Sequence, residues 1–157
     1  MATILIGMGN PVLTDDAVGL KIVRRVGRLM PGITIRELYS GGISLVEAMT
    51  GFDRALIVDA MSTPGGQPGA IHFPTIDGMF HTRNTCSTHD ANLGVALELG
   101  RLAGLHLPRE IRIWGVEPAD VTSFGERLTS AVERAVPAVV EQVMCELQRG
   151  LQSGEPA

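Results

Sequence analysis

Two adjacent acids, Asp15 and Asp16, open a helical pattern just behind a glycine turn in ILIGMGNPVLTDDAVGLKIVRRV. Asp59 directly follows the apolar run RALIV, and His89 stands in STHDAN, where another helical pattern begins. Acids in a first helical turn favour the positive end of the helix dipole by about 0.3–1 kcal/mol each, and Thr14 is a good N-cap residue. The acid pair therefore has an ordinary helix-start reading: Thr14 and Asp15 take that role, leaving Asp16 free to face a site. Asp59 resists such a reading more strongly, because an unpaired carboxylate is costly to bury behind an apolar strand, although it can cap the next turn. His89 can cap or pack. Taken together, two carboxylates and one imidazole form a borderline-hard ligand set suited to a divalent first-row metal, with positions left open for water or substrate. Cys86 makes C-x-x-H with His89, but structural zinc normally needs a second such pair.

Other chemistries find less support. The Gly7-x-Gly9 turn has Val12 where a dinucleotide fingerprint requires its third glycine, and Pro11 intrudes. Neither G-x-S-x-G nor H-E-x-x-H occurs, so a nucleophile elbow and an ordinary zinc-protease helix are both missing. The formal charge of −4, with basic residues gathered only at Arg24, Arg25 and Arg28, offers no surface for displacing counterions, and no nucleic-acid partner is expected. The start MATILIGMGN lacks a charged leader, and no apolar run approaches the roughly 20 residues of a membrane span. No membrane role is expected. Two cysteines, Cys86 and Cys145, make no disulfide framework, which points to a reducing cytoplasm.

The elements that must position these residues follow from the hydrophobic period. Thr3 to Met8 and Arg54 to Val58 are continuous apolar runs, as in strands buried on both faces of a parallel sheet. Ile33 to Leu38, Ala70 to Phe73 and Glu110 to Val116 read as further strands. Val18, Ile22, Val26 and Leu29 recur at helical spacing, as do Leu93 with Leu97, and Val95 with Leu99 and Leu102. A short helix is expected over Ser44 to Met49, a longer one over His89 to Leu105, and a last one over Glu126 to Leu147. Pro137 should kink that last helix or restart it. Asp77 to Thr88 lacks periodicity and reads as a surface loop, and the chain from about residue 150 as a frayed tail.

A chain of 157 residues with no linker or repeat is read as one domain, 1–157, large enough to bury roughly 68–70% of its unfolded surface. Strands alternating with helices predict a three-layer α/β/α fold with a mostly parallel central sheet. Its binding crevice lies outside the carboxyl ends of the strands, where Asp16, Asp59 and His89 all fall. With the apolar stripes taken up by the sheet, a monomer is expected.

The order and spacing of ILIGMGNPVLTDDAVG, LIVDA and STHDANLGVAL resemble the hydrogenase maturation endopeptidases, and GVEPADVTSFGERLTSAV resembles that family's late strand, loop and final-helix start. The similarity runs from about Ile4 to about Val143. It implies an endopeptidase that removes the C-terminal extension of a NiFe hydrogenase large-subunit precursor after nickel insertion. In the family an acid of the opening loop, an acid after the third strand and a histidine hold the nickel, and these match Asp16, Asp59 and His89. The nickel would arrive with the precursor and serve as recognition element and Lewis acid. Gly41 and Gly42 match paired glycines against which a substrate backbone can approach closely. Many members carry an acid before those glycines, where this chain has Ser40. The alternative reading is a non-proteolytic metal-sensing or chaperone-like binding protein of the same fold.

Overall fold

A computed structural model describes residues 1–76 and 93–152. Five strands, β1 (Thr3–Met8), β2 (Thr34–Leu38), β3 (Arg54–Ala60), β4 (Ile71–His72) and β5 (Glu110–Val116), form one sheet in the order β2-β1-β3-β5-β4. All pairings are parallel except the short antiparallel edge made by β4, where Ile71 lies opposite Val116. The helices are α1 (Val18–Leu29), α2 (Ile43–Met49), α3 (Leu93–Leu102) and α4 (Ser130–Gln152), with a 3-10 turn over Thr14–Ala17 leading into α1.

The sheet's two faces carry separate cores. Leu5, Leu56, Val58, Trp114 and Val116 point to the layer of α1 and α4, packing on Ile22, Val26, Val139 and Val143. Ile4, Ile6, Ala55, Ile57 and Ile113 point to the layer of α2 and α3, packing on Leu45, Met49, Leu93 and Leu97. This is the three-layer α/β/α arrangement with a mostly parallel sheet that the alternating pattern predicts. Gly19 lets α1 lie directly on the sheet: a Cβ there would stand 2.3 Å from the Val58 carbonyl oxygen and 2.6 Å from that of Met8.

Several boundaries differ from expectation. β3 does not stop at Val58 but runs through Asp59 to Ala60, in register with Gly115 and Val116 of β5. α4 begins at Ser130 rather than Glu126, continues through the exposed Pro137 without restarting, and runs past the expected end at Leu147 to Gln152; the rest of the expected tail lies outside the described residues. The missing proline N–H deprives only the Glu133 carbonyl of its helical donor, which the surface position tolerates. The expected helix over His89 to Leu105 is seen as α3; the loop expected over Asp77 to Thr88 lies outside the described residues.

α3 also overturns the premise that the sheet takes up every apolar stripe. Leu93 and Leu97 face the core, whereas Val95, Leu99 and Leu102 are exposed.

Candidate functional site

The chain leaves β1 for β2 on one side, and β3 leads to β5 on the other, so the carboxyl ends of β1 and β3 mark the point where connections diverge. Ligands of open α/β sheets bind in the crevice at such a point. Asp16 sits just beyond β1 and Asp59 is the sixth residue of β3, which places both carboxylates there.

Asp16 is positioned by a loop that folds back on itself. Gly9 has φ +143°, and a Cβ there would lie 1.9 Å from the Asp16 carbonyl oxygen, so no side chain fits. Asp16 Oδ2 accepts the Asn10 backbone N–H at 2.8 Å. Burial raises its carboxyl pKa, and the Asn10 bond opposes that rise. The alternation of β3 turns Asp59 toward the α2/α3 layer, with Ala55 and Ile57. Burial pushes the Asp59 carboxyl up to about 7, the negative charge of Asp16 pushes in the same direction, and the Ala60 backbone N–H partly offsets both. Two carboxylates that repel one another in a desolvated crevice bind a proton or a cation more readily than either alone.

Asp15 has a different job from the helix-start role expected of it. The 3-10 turn has Leu13 at its N-cap and no side-chain cap bond, and the Thr14 hydroxyl donates instead to the Ser123 carbonyl at 2.7 Å. The Asp15 side chain is fully buried. It accepts the backbone N–H groups of Ala119 (2.8 Å), Asp120 (3.0 Å) and Thr129 (2.7 Å), and the Thr129 hydroxyl (2.8 Å). The opening loop is thereby welded to the loop after β5, with Gly125 N–H to the Val12 carbonyl at 2.9 Å closing the seam. Sequence reading missed this tie, since its partners lie more than a hundred positions away; the PADVTSFGERLTS stretch was the visible half of it.

The Tyr39–Gly42 loop leaves β2 at the same rim, joined to the opening loop by the Gly9 N–H bond to the Leu38 carbonyl at 3.1 Å. Gly42, at φ +61°, starts α2. The Ser40 hydroxyl reaches Ser44. Beyond β3 and β5 a groove of about 1010 Å³ runs between two loops, lined by Ser62, Thr63, Pro64, Pro118, Asp120 and Val121. At its floor the buried Glu117 carboxylate accepts the Thr63 N–H (2.9 Å) and hydroxyl (2.8 Å) and meets His72 Nε2 at 2.8 Å. His72 therefore has a structural partner near this rim, which sequence reading did not assign.

His89 and Cys86 lie outside the described residues. Among the described residues no cluster of three His, Cys, Asp or Glu side chains could hold a metal ion. Asp16 and Asp59 are the part of the expected ligand set that the structure describes, and oxygen donors of raised basicity suit a divalent cation.

The hydrogenase maturation protease family model matches residues 25–146, which include Asp59 and His89 but not the opening loop. The Hydrogenase 2 maturation protease of Escherichia coli (strain K12) is 27% identical over 154 residues, covering 94% of this chain and 92% of that protein. The hydrogenase expression/formation protein HupD of Rhizobium leguminosarum bv. viciae is 26% identical over 143 residues, 88% of this chain and 70% of its own length. Among solved structures, the hydrogenase maturating endopeptidase HybD from E. coli superposes with a TM-score of 0.80 at 26% identity, covering 96% of this chain and 94% of that one. The HybD maturation protease from Thermococcus kodakarensis shares the fold at a TM-score of 0.68, 23% identity and coverage of 91% and 97%. With the family model spanning most of the sheet and its helices, the chain belongs to the hydrogenase maturation protease family.

Proposed function

We propose that this endopeptidase cleaves the C-terminal extension from a nickel-loaded NiFe hydrogenase large-subunit precursor, and that Asp16, Asp59 and His89 grip the nickel the precursor carries. The nickel is part of the substrate. The observation that carries the reading is the Asp16–Asp59 pair at the divergence of β1 and β3, where burial raises both carboxyls and the negative charge of Asp16 raises Asp59 further. A divalent ion relieves that repulsion, so the crevice favours a metallated chain terminus over a bare one. Gly41 and Gly42, on the loop joined to the opening segment, would let the substrate backbone approach. A water held by one carboxylate would attack the scissile carbonyl, with Asp16 or Asp59 taking its proton; a carboxyl near 7 is well placed to exchange protons at neutral pH. No described helix is long and apolar enough to cross a membrane. We place the reaction in the cytoplasm, with one monomer meeting one precursor.

The test is the mass of the large subunit after incubation with the full-length protein. Nickel-loaded precursor should lose its extension, and nickel-free precursor should keep it. Asp16→Asn, Asp59→Asn and His89→Ala should each slow cleavage by about 10²–10⁴-fold. Wild-type cleavage by any one of the three removes that residue from the site, and equal cleavage of nickel-free precursor removes the metal grip.

A further inference from the structure

The groove beyond β3 and β5 is walled by two loops that the fold fastens separately. β3 and β5 are paired to their last residues, Asp59 with Gly115 and Ala60 with Val116, and the Met61 N–H still reaches the Val116 carbonyl at 2.9 Å. The near wall starts at Ser62, three positions after Asp59. It lies directly on the floor: Glu117 takes the Thr63 N–H, and a Cβ on Gly66 would stand 2.2 Å from the Glu117 carboxyl carbon. The far wall, Pro118 to Ser123, is held by Asp15 through the Ala119 and Asp120 N–H groups. Asp15 adjoins Asp16 in the chain, so the groove and the two-carboxylate crevice share one rim, with Asp59 between them. Walls fixed in advance cost a ligand little ordering.

The lining suits a peptide of a particular charge. Among the described residues, the Ser62 N–H on one wall and the Val121 N–H on the other donate to nothing. An extended chain, whose own carbonyls are unspent, can accept from both. Glu117 and Asp120 are the ionisable residues of the lining, and no Lys, Arg or His is among them. The Ser123 and Thr122 N–H groups donate to Asp120 Oδ1 at 2.9 Å each and hold its carboxyl down to about 2, so it is charged wherever cleavage is assayed. Lys21, beyond the far wall, is spent on the Glu126 carbonyl at 2.7 Å. A chain being cut has two sides. The retained side brings its nickel to Asp16 and Asp59, so the segment that continues past Asp59 into the groove is the extension.

We infer that this groove binds the precursor's C-terminal extension as an extended chain, and that Asp120 is a specificity-determining residue that admits neutral or basic extensions and disfavours acidic ones. This deepens the proposed function and rests on it. An acidic residue entering the groove gives up water beside two carboxylates, whereas a basic one is attracted by both.

The experiment gives the full-length protein two nickel-loaded precursors, their extensions made lysine-rich or glutamate-rich from the second residue on, and follows cleavage by mass spectrometry. Wild type should process the lysine extension with a kcat/KM about tenfold above that for the glutamate extension at low salt, the gap closing as salt is raised. Asp120→Asn keeps an acceptor for Thr122 and Ser123 while removing the charge, and should narrow the gap to about threefold or less. Ser62→Arg, which adds a positive charge to the opposite wall, should close or reverse it. Glu141→Gln, on the outer face of α4, changes the net charge as Asp120→Asn does and should leave the gap at its wild-type size. Circular dichroism checks that each variant is folded. Equal kcat/KM for the two extensions in wild type, or a gap that neither groove variant moves, overturns the groove and leaves nickel-dependent cleavage standing. A gap narrowed as much by Glu141→Gln reports overall charge and also overturns it. A wild-type protein that cleaves no nickel-loaded precursor, with either extension or the native one, overturns both the groove and the proposed function.

Discussion

A carboxylate walled off from water destabilises the fold that holds it whenever the pH forces it to ionise. For Asp59 the unfolded chain titrates near the ordinary value of 3.8 and the folded one at about 7. Below pH 4 both states hold the proton and Asp59 contributes nothing. Between pH 4 and 7 the folded state binds a proton the unfolded state has lost, so stability falls as pH rises; above 7 it levels off. The raised carboxyl of Asp16 acts with the same sign. Glu37, Asp53, Glu110 and Asp120 are held below their ordinary values and act below about pH 4.5, outside this window. Metal-free protein should therefore lose about 2–3 kcal/mol of unfolding free energy between pH 5 and pH 8, read by urea titration at each pH. Asp59→Asn should flatten most of that slope and be the more stable protein at pH 8, while losing cleavage. A slope unchanged in Asp59→Asn would show that the proton sits elsewhere.

The elements owe their placement to ties that bridge distant segments, of which Asp15 is the clearest. Replacing it with Ala leaves the Ala119, Asp120 and Thr129 N–H groups without their acceptor, at a cost of about 2–4 kcal/mol. Amide exchange should rise at those three positions ahead of the rest of the chain, and cleavage should fall because Asp16 shares the loosened turn. Uniform exchange across the sheet instead would mean that the loop is held by other contacts. This tie also marks where sequence reading stops. The apolar runs of β1 and β5 and the stripe of α1 were legible because one periodicity decides each of them. β3 was cut short at Val58, because Asp59 breaks the apolar run without breaking the ladder to Gly115. Asp16 and Asp59 could be assigned to the crevice from the strand-end rule alone. Asp15 could not, because a buried carboxylate and a helix-start carboxylate look alike until their partners, a hundred residues on, are seen. The exposure of α3 was hidden for a related reason: two interleaved stripes show a helix apolar all round, not which stripe meets the sheet.

At the scale of the molecule the two ends of the sheet have separate duties. The carboxyl end holds two carboxylates that repel each other; the amino end is closed by a charge cluster in which opposites meet. Arg54, at the start of β3, is buried and pairs with Glu110 at 3.1 Å and with Glu146 of α4, and it donates to the Glu146 carbonyl at 2.8 Å. Arg112 (3.3 Å) and Arg149 (3.5 Å) add weaker contacts to Glu146 from more exposed positions. Gly150 makes room for this guanidinium, since a Cβ there would stand 2.5 Å from Arg54 Nη1. Removing one partner of a buried pair strands the other, so Arg54→Ala should cost about 3 kcal/mol, near the low end for such pairs because Arg112 and Arg149 remain. In a domain of this size that is a fall of about 6–12 °C in Tm. Arg54→Met/Glu146→Leu, which removes both charges and keeps the volume, should recover much of it. Because the cluster lies at the opposite end from Asp16 and Asp59, Arg54→Ala assayed well below its Tm should cleave precursor at the wild-type rate. A slowed rate in protein shown to be folded would mean that the two ends are coupled through β3, the strand that carries Arg54 at one end and Asp59 at the other.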